Sequence, residues 1–284
     1  MTEDRKLIFN ADDFGRHAAT NEAVRLGVRQ GCLRSASLMA GEPAFAEAVE
    51  IAKGLPKLGI GVHFTLVDGN PVLPPEEIPT LVNVEGRFQP SHNAFLKHFL
   101  TGRIRMEEVQ AELAAQLAKI EQAGIRPTHI DSHQHMHALP GVAETAVRLA
   151  KEAGIAAVRV PDCNYGSLAD GVGAFVGRMG LHILASRLRR EARKQGLACT
   201  EHFAGLVAGG NFDEAEILRV IREMPEGTTE VMTHPGTDDE LLATLYSGGW
   251  QHGFEAELAG LLSEKVAAAL EEGQVQSVNF GQYI

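Results

Sequence analysis

Short apolar runs alternate with longer helical patterns along nearly the whole chain, and this alternation restricts the folds open to it. Strands that alternate with helices are typical of a parallel β-sheet. About eight strands suit a closed or nearly closed β/α barrel better than an open sheet. The predicted strands are 6–11, 35–40, 60–66, 128–132, 157–160, 197–203, 230–233 and 275–280, and the predicted helices are 21–30, 44–53, 106–123, 142–153, 173–195, 213–224 and 255–272.

One long segment, residues 68–92, breaks this alternation. It is rich in Pro, Gly and Asn and has little periodicity, so we predict an extended loop. A loop of this length inside a compact domain is more often a lid or a binding loop than a linker. Neither a GxGxxG motif nor a P-loop follows the first predicted strand, which disfavours a Rossmann nucleotide site.

Charge and cysteine content narrow the function classes. The formal net charge of −11 argues against a nucleic-acid partner, because phosphate binding needs a basic surface. A peripheral contact with a membrane surface and a homodimer both stay open. The three cysteines are far apart and form no CxxC pattern, which indicates a reducing compartment. The N-terminal segment lacks the apolar region of a signal peptide, so we expect a cytoplasmic protein.

Polar residues gather where the predicted strands end. In a β/α barrel the active site is built at the carboxyl ends of the strands. Several strands of this chain deliver a carboxylate, an imidazole or a guanidinium there, which predicts one shared site. These residues are Asp12 and Asp13, His63, Asp131 and His133, Arg159, Glu201 and His202, and His234.

The stretch THIDSHQHMH, residues 128–137, holds four of the twelve histidines. Alternate residues of a strand share a face, so His129, Asp131 and His133 point the same way. His135 and His137 keep that parity only if the strand continues, and Pro140 suggests that the chain turns away first. One or two metal ligands in this stretch are therefore expected rather than four.

Imidazole with carboxylate suits Zn²⁺ and is acceptable for other divalent ions. Two histidines and one aspartate would leave coordination positions open, as in a catalytic site. A nearby carboxylate could then act as a general base, and a histidine on the other side as a general acid. The alternatives without a functional role are a turn at Asp12–Asp13 and a hydrogen-bonded core histidine at position 63. The isolated histidines are expected at the surface or in packing roles, and they are His17, His92, His98, His182 and His252.

Four motifs of the chain together resemble the YdjC-like carbohydrate deacetylases, a family that includes chitooligosaccharide deacetylases. They are NADDFG at 10–15, GVHF at 61–64, THIDSHQHMH at 128–137 and THPG at 233–236. The resemblance implies a single domain over residues 1–284, a distorted (β/α) barrel of the polysaccharide-deacetylase type. It implies hydrolysis of an N-acetyl group on an amino sugar with one divalent ion, Zn²⁺ or Mg²⁺.

The resemblance also implies roles for individual residues. It assigns Asp13, His63 and His133 as metal ligands, Asp12 as the catalytic base, and His234 as the acid that protonates the leaving amine. We expect a second group to contact the substrate or to hold the ligands in place. Its members are Asp131, His129, His135, His137 and Arg159.

A narrower resemblance, to the hopanoid-biosynthesis-associated branch, comes from LVDGNPVLPP at 66–75 and GRF at 86–88. It implies an N-acetylglucosaminyl hopanoid as substrate, with a chitooligosaccharide as the other candidate. Gln134 departs from the histidine that the family often has there, which puts a substrate contact in doubt. The rival interpretations are a metal-dependent phosphoesterase or another amidohydrolase on a barrel, and a sugar-binding protein without catalysis.

Overall fold

All strands run parallel in one sheet, as the alternation of elements predicts. The computed structural model describes residues 5–162, 172–206, 212–246 and 252–283. The strands are β1 Arg5–Phe14, β2 Ser35–Leu38, β3 Gly59–Phe64, β4 His129–Ser132, β5 Ala157–Val158, β6 His202–Ala204, β7 Gly227–Thr233 and β8 Val275–Ser277.

The sheet is curled, with strand order β5-β4-β3-β2-β1-β7-β6. Strand β1 pairs with β7 on one side, while β8 and then β2 share its other side. An isolated parallel bridge joins Ala157 of the outer strand β5 to Ala198, just before β6. The two outer strands are thus drawn towards each other, and the predicted α/β fold, a distorted (β/α) barrel, is confirmed.

The helices cover the sheet, and the elements differ from the prediction in four places. Helix α3, which follows the loop that starts after β3, was not predicted, and neither was the short helix α8. The predicted helix 255–272 is two helices, because Ser263 is extended and its hydroxyl caps the second one. The predicted strand 275–280 ends early and gives way to a short helix. The helices are α1 Ala18–Gln30, α2 Phe45–Lys53, α3 His92–Leu100, α4 Met106–Gln122, α5 Val142–Glu152, α6 Val172–Gln195, α7 Glu214–Glu223, α8 Asp239–Ala243, α9 Phe254–Leu262, α10 Glu264–Glu272 and α11 Phe280–Tyr283.

Within the described parts of the chain, none of the helices combines the length and the apolar character needed to cross a bilayer. The predicted apolar face of α4 is buried against the sheet, through Val109, Leu113, Leu117 and Ile120. The apolar core therefore lies between the curled sheet and its helices.

The long loop after β3 is held by polar side chains of α4. Glu112 accepts two consecutive loop amide N–H groups, at 2.8 and 3.0 Å. Glu108 accepts both the amide and the hydroxyl of Thr80, at 2.8 and 2.7 Å. Gln116 pairs with the backbone N–H and carbonyl of Thr65. Because buried backbone groups need partners, these contacts fix the loop where it meets the carboxyl ends of the strands.

One predicted pair of site residues lies elsewhere. The strand predicted over 197–203 begins only at His202, so Glu201 and His202 stand at its amino end. Glu201 accepts the backbone N–H of Thr228 at 2.9 Å, at the start of β7. The prediction that Glu201 and His202 belong to the shared site is therefore wrong, because the strand boundary was misplaced.

Candidate metal centre

The last residues of β1 present two adjacent carboxylates to the interior. Asp13 has a φ of 60°, in the left-handed region that non-glycine residues rarely adopt. The pairing with β2 also shifts register between Ala11 and Phe14. Neighbouring residues of a regular strand point to opposite faces. This irregularity lets Asp12 and Asp13 both reach the neighbourhood of His63.

Three donor atoms from three strand ends converge at this point. Asp13 Oδ1 lies 2.8 Å from His133 Nδ1 and 3.2 Å from His63 Nε2. His133 directly follows β4, and His63 is the penultimate residue of β3. The three side chains are buried. They could hold a metal ion, because two imidazoles and one carboxylate are ordinary ligands of Zn²⁺.

Asp131 contacts Nδ1 of His63, the ring nitrogen that faces away from Asp13. Its Oδ1 lies 2.8 Å from His63 Nδ1, so Nε2 is left to face Asp13. Ser37 donates a 2.6 Å hydrogen bond to the second oxygen of Asp131. Burial opposes the charged imidazole, but the carboxylates around it, Asp131 foremost, raise the pKa of His63 to about 10. A metal ion that takes Nε2 therefore competes with a proton.

The guanidinium of Arg159 joins three buried carboxylates. It makes two 2.6 Å hydrogen bonds to Asp12, one to each oxygen. It also lies 2.8 Å from Asp131 and 2.5 Å from Glu230. Burial raises the pKa of Glu230 to about 7 despite this contact. Arg159 therefore orients Asp12 and links it to the carboxylate that holds His63.

His234 follows β7 and lines the same cavity as Asp12. Its backbone N–H donates a 2.5 Å hydrogen bond to Glu257 of α9. Its ring lies 5.0 Å, centroid to centroid, from the ring of His252. Burial lowers the pKa of His234 and raises that of Glu257 to about 8. A histidine with a lowered pKa is a stronger proton donor in its charged form.

The histidine-rich stretch is a strand followed by a 3₁₀ turn, and its members separate in space. His129, the first residue of β4, is fully buried and stacks on Phe280 with ring centroids 3.9 Å apart. Gly61 on β3 makes this possible, because a Cβ there would lie 2.3 Å from the imidazole of His129. His129 Nε2 lies 3.2 Å from Ser37 Oγ, and the Ser37 hydroxyl in turn donates to Asp131.

The last two histidines of the stretch also differ from each other. His137 is fully buried between the Ser132 hydroxyl and the backbone carbonyl of Arg159, with its Nε2 3.0 Å from that carbonyl oxygen. His135 has a left-handed φ of 56° and lines the cavity. Its Nδ1 is buried and has no hydrogen-bond partner among the residues that the structure describes.

Other residues reach the centre without having been predicted. Arg16 and Asp68 form a buried pair at 3.0 Å beside His133, and Tyr246 contacts Asp13. His92 and His252, predicted as surface or packing residues, line the cavity. Asp68 and His92 lie within the segment 68–92 that was predicted as a lid or a binding loop, and Asp68 also lies in the motif at 66–75. The loop after β3 therefore contributes to the site, as its length suggested.

The cavity over these residues has a volume of about 550 Å³. Asp12, His63, His133 and His234 form its polar side. Its other side is built by α3, α6 and the 3₁₀ turn His133–Ala138, and these elements also contribute the polar residues His92, Asn93, Gln134 and His135. The apolar side of the cavity is formed by Leu96, Met136, Leu139, Leu181 and Leu184.

Fold and site together define a (β/α)-barrel protein with a candidate divalent-metal centre at the carboxyl ends of its strands. The chain belongs to the family of YdjC-like proteins, whose family model matches residues 6–272.

Relatives of this chain are named as carbohydrate deacetylases. The carbohydrate deacetylase of Brevibacillus brevis is 33% identical over 278 residues, which cover 98% of this chain and 99% of the relative. The carbohydrate deacetylase of Geobacillus stearothermophilus is 31% identical over 280 residues, with 98% of each chain covered. The prediction of an enzyme of the carbohydrate deacetylase class is confirmed by these relatives.

A solved structure shares the whole fold. It is a protein from Enterococcus faecalis V583, described as a candidate cellobiose-phosphate cleavage protein. The TM-score is 0.79 at 26% identity, and the match covers 98% of each chain.

Proposed function

We propose that the protein hydrolyses the N-acetyl group of an N-acetylated amino sugar with the help of one divalent ion. The observation that carries this proposal is the convergence of Asp13, His63 and His133 beside a cavity that also contains Asp12 and His234. Amide hydrolysis needs an electrophile for the carbonyl oxygen, a base for water and an acid for the departing amine. This site offers candidates for all three.

The donor set fits such an ion. Asp13 Oδ1, His63 Nε2 and His133 Nδ1 would hold it, and Asp131 would keep His63 oriented. A bound divalent ion would polarise the acetyl carbonyl and lower the pKa of water. The ion is Zn²⁺ or Mg²⁺, and two imidazole donors favour Zn²⁺, since Mg²⁺ prefers oxygen ligands.

Two side chains beside this centre carry out the two proton transfers, one as a base and the other as an acid. Asp12, oriented by Arg159, takes a proton from the water that attacks the acetyl carbon. His234 donates a proton to the sugar nitrogen as the carbon–nitrogen bond breaks. The products are acetate and a free amino sugar. Glu257 keeps the backbone of His234 in place during these steps.

The apolar side of the cavity favours an amphiphilic acceptor over a free chitooligosaccharide. Polar side chains such as His92, Gln134 and His135 can bind sugar hydroxyl groups, whereas the leucine and methionine side chains of the same lining offer those hydroxyl groups no partner. A glycolipid such as an N-acetylglucosaminyl hopanoid would place its apolar part there. Leu100 and Ile183, 80% and 63% exposed on the same two helices, are suited to a peripheral membrane contact.

An acetate-release assay tests the proposal. N-acetylglucosamine, N,N′-diacetylchitobiose and a glycolipid analogue would be compared, with metal analysis of the same sample. We expect acetate release to need the ion and to be fastest on the glycolipid. Asp12→Asn should keep the metal and lose activity, whereas Asp13→Ala should lose the metal. Near-normal turnover in Asp12→Asn would show that the base is another residue.

The rival functions give different results in the same experiment. A phosphoesterase would hydrolyse an aryl phosphate and release no acetate. The carboxylates of Asp12 and Asp68, which line the cavity, would repel a phosphate dianion, which argues against that activity. A sugar-binding protein without catalysis would bind metal stoichiometrically and turn over none of the acetamido sugars.

A further inference from the structure

The two oxygens of Asp13 have different neighbours. Oδ1 faces both imidazoles of the candidate centre, at 2.8 and 3.2 Å. Oδ2 instead accepts a 2.6 Å hydrogen bond from the hydroxyl of Tyr246. Tyr246 is half-buried and stands 233 positions further along the chain, after α8. A residue without any part in the proposed proton transfers thus contacts a candidate metal ligand directly.

The ring of Tyr246 packs against two buried side chains. The guanidinium carbon of Arg16 lies 4.1 Å from the ring centroid, and the ring of Phe254 stacks at 5.4 Å. Arg16 also donates a 2.6 Å hydrogen bond to the backbone carbonyl of Leu245, the preceding residue. Both the tyrosine and its backbone are therefore tied to Arg16, which is itself buried.

The same arginine extends to the third candidate ligand. Arg16 donates to Asp68 at 3.0 Å, and its other terminal nitrogen lies 3.4 Å from His133 Nε2. Asp68 Oδ2 lies 3.5 Å from the same imidazole nitrogen. Each candidate ligand therefore has an outer partner: Tyr246 for Asp13, the Arg16–Asp68 pair for His133, and Asp131 for His63.

We propose that Tyr246 is a positioning residue of the metal centre. By occupying Oδ2, its hydroxyl holds Asp13 so that Oδ1 alone is presented to the ion, and Arg16 keeps the tyrosine in place. The inference rests on the proposed function, because it needs the ion to bind there. Partners that orient metal ligands typically change metal affinity 10- to 100-fold when they are removed.

The test is the variant Tyr246→Phe, which removes the hydroxyl and keeps the ring on Arg16 and Phe254. Zn²⁺ affinity of the full-length protein would be measured by competition with a chromophoric chelator. We expect binding about 10- to 100-fold weaker than in the wild type, with an unchanged melting temperature in excess chelator. At saturating Zn²⁺ the deacetylase kcat should return to within a few-fold of the wild-type value.

A matched control is Tyr283→Phe, which also loses one hydroxyl, there donated to the carbonyl of Cys199. Its Zn²⁺ affinity should be unchanged. Tyr246→Phe with an affinity within threefold of the wild type would overturn the inference. Asp13→Ala in the same titration separates the two proposals. If Asp13→Ala loses zinc while Tyr246→Phe does not, only the role of Tyr246 is wrong. If Asp13→Ala also keeps zinc, the metal centre itself is wrong.

Discussion

Replacing Arg159 by methionine should destabilise the fold far more than an ordinary arginine substitution. Arg159 is fully buried and contacts Asp12, Asp131 and Glu230, at distances from 2.5 to 2.8 Å. Methionine fills much of the same space but leaves three buried carboxyl groups without their shared cation. Removing one partner of a buried ion pair typically costs about 3–5 kcal/mol.

Loss of the Arg159 guanidinium does not affect the three carboxylates equally. Asp131 keeps Ser37 and His63, and Asp12 keeps a 2.8 Å hydrogen bond from Asn10. Glu230, with its pKa already raised to about 7, would take up a proton at neutral pH. These responses limit the cost, so we expect the lower end of the range, about 3 kcal/mol.

The measurement is thermal unfolding in excess chelator, so that metal binding contributes nothing to stability. A chain of 284 residues unfolds with an entropy of roughly 0.6 kcal/mol per kelvin near 60 °C. A loss of about 3 kcal/mol therefore lowers the melting temperature by roughly 5 °C. The control Arg187→Met removes a surface pair with Glu144, whose side chains are 50% and 40% exposed, and should shift it by less than about 2 °C. Equal shifts in the two variants would refute the view that Arg159 is the shared cation of a buried network.

Three further outcomes are expected. Asp131→Asn should weaken Zn²⁺ binding about 10- to 100-fold in chelator competition, because His63 loses the charge that holds it; unchanged affinity would contradict that role. Glu257, with a pKa of about 8 against an ordinary value of 4.5, keeps a proton that the unfolded chain releases, so stability should fall as pH rises towards 8. Urea unfolding at several pH values should show this slope, and Glu257→Gln should reduce it. Glu112→Ala leaves two partly buried loop amides without their partner and should cost about 1 kcal/mol, with faster proteolysis in the loop as the second readout.

The sequence predicted the order of strands and helices well, because hydrophobic periodicity is a local property. Residues 106–123 were predicted as a helix, and α4 spans Met106–Gln122. Errors occurred where local pattern is weak. Helix α3 follows an irregular loop, and a single extended residue, Ser263, divides a pattern that reads as one continuous helix. The strand predicted over 197–203 begins only at His202, so the assignment of Glu201 and His202 to the site was also wrong.

The candidate site was predicted through its strand ends. Asp12, Asp13, His63, His133 and His234 stand at or directly after strand termini, and parallel strands bring such termini to one edge. Strand parity does not account for one feature of β1. Neighbouring strand residues should face opposite ways, but the left-handed backbone of Asp13 and the register shift between Ala11 and Phe14 bring both carboxylates to the site.

The sequence by itself determined which residue types stand at the ends of which strands, and so the kind of chemistry available. It could do so because strand, helix and turn preferences are encoded within a few neighbouring residues. The sequence named Asp131 and Arg159 as candidates for holding the ligands in place, but only the tertiary structure decided which residue each of them contacts. Asp131 meets His63 across 68 positions, and Tyr246 meets Asp13 across 233. Such contacts depend on the register and curl of the sheet, which no local pattern records.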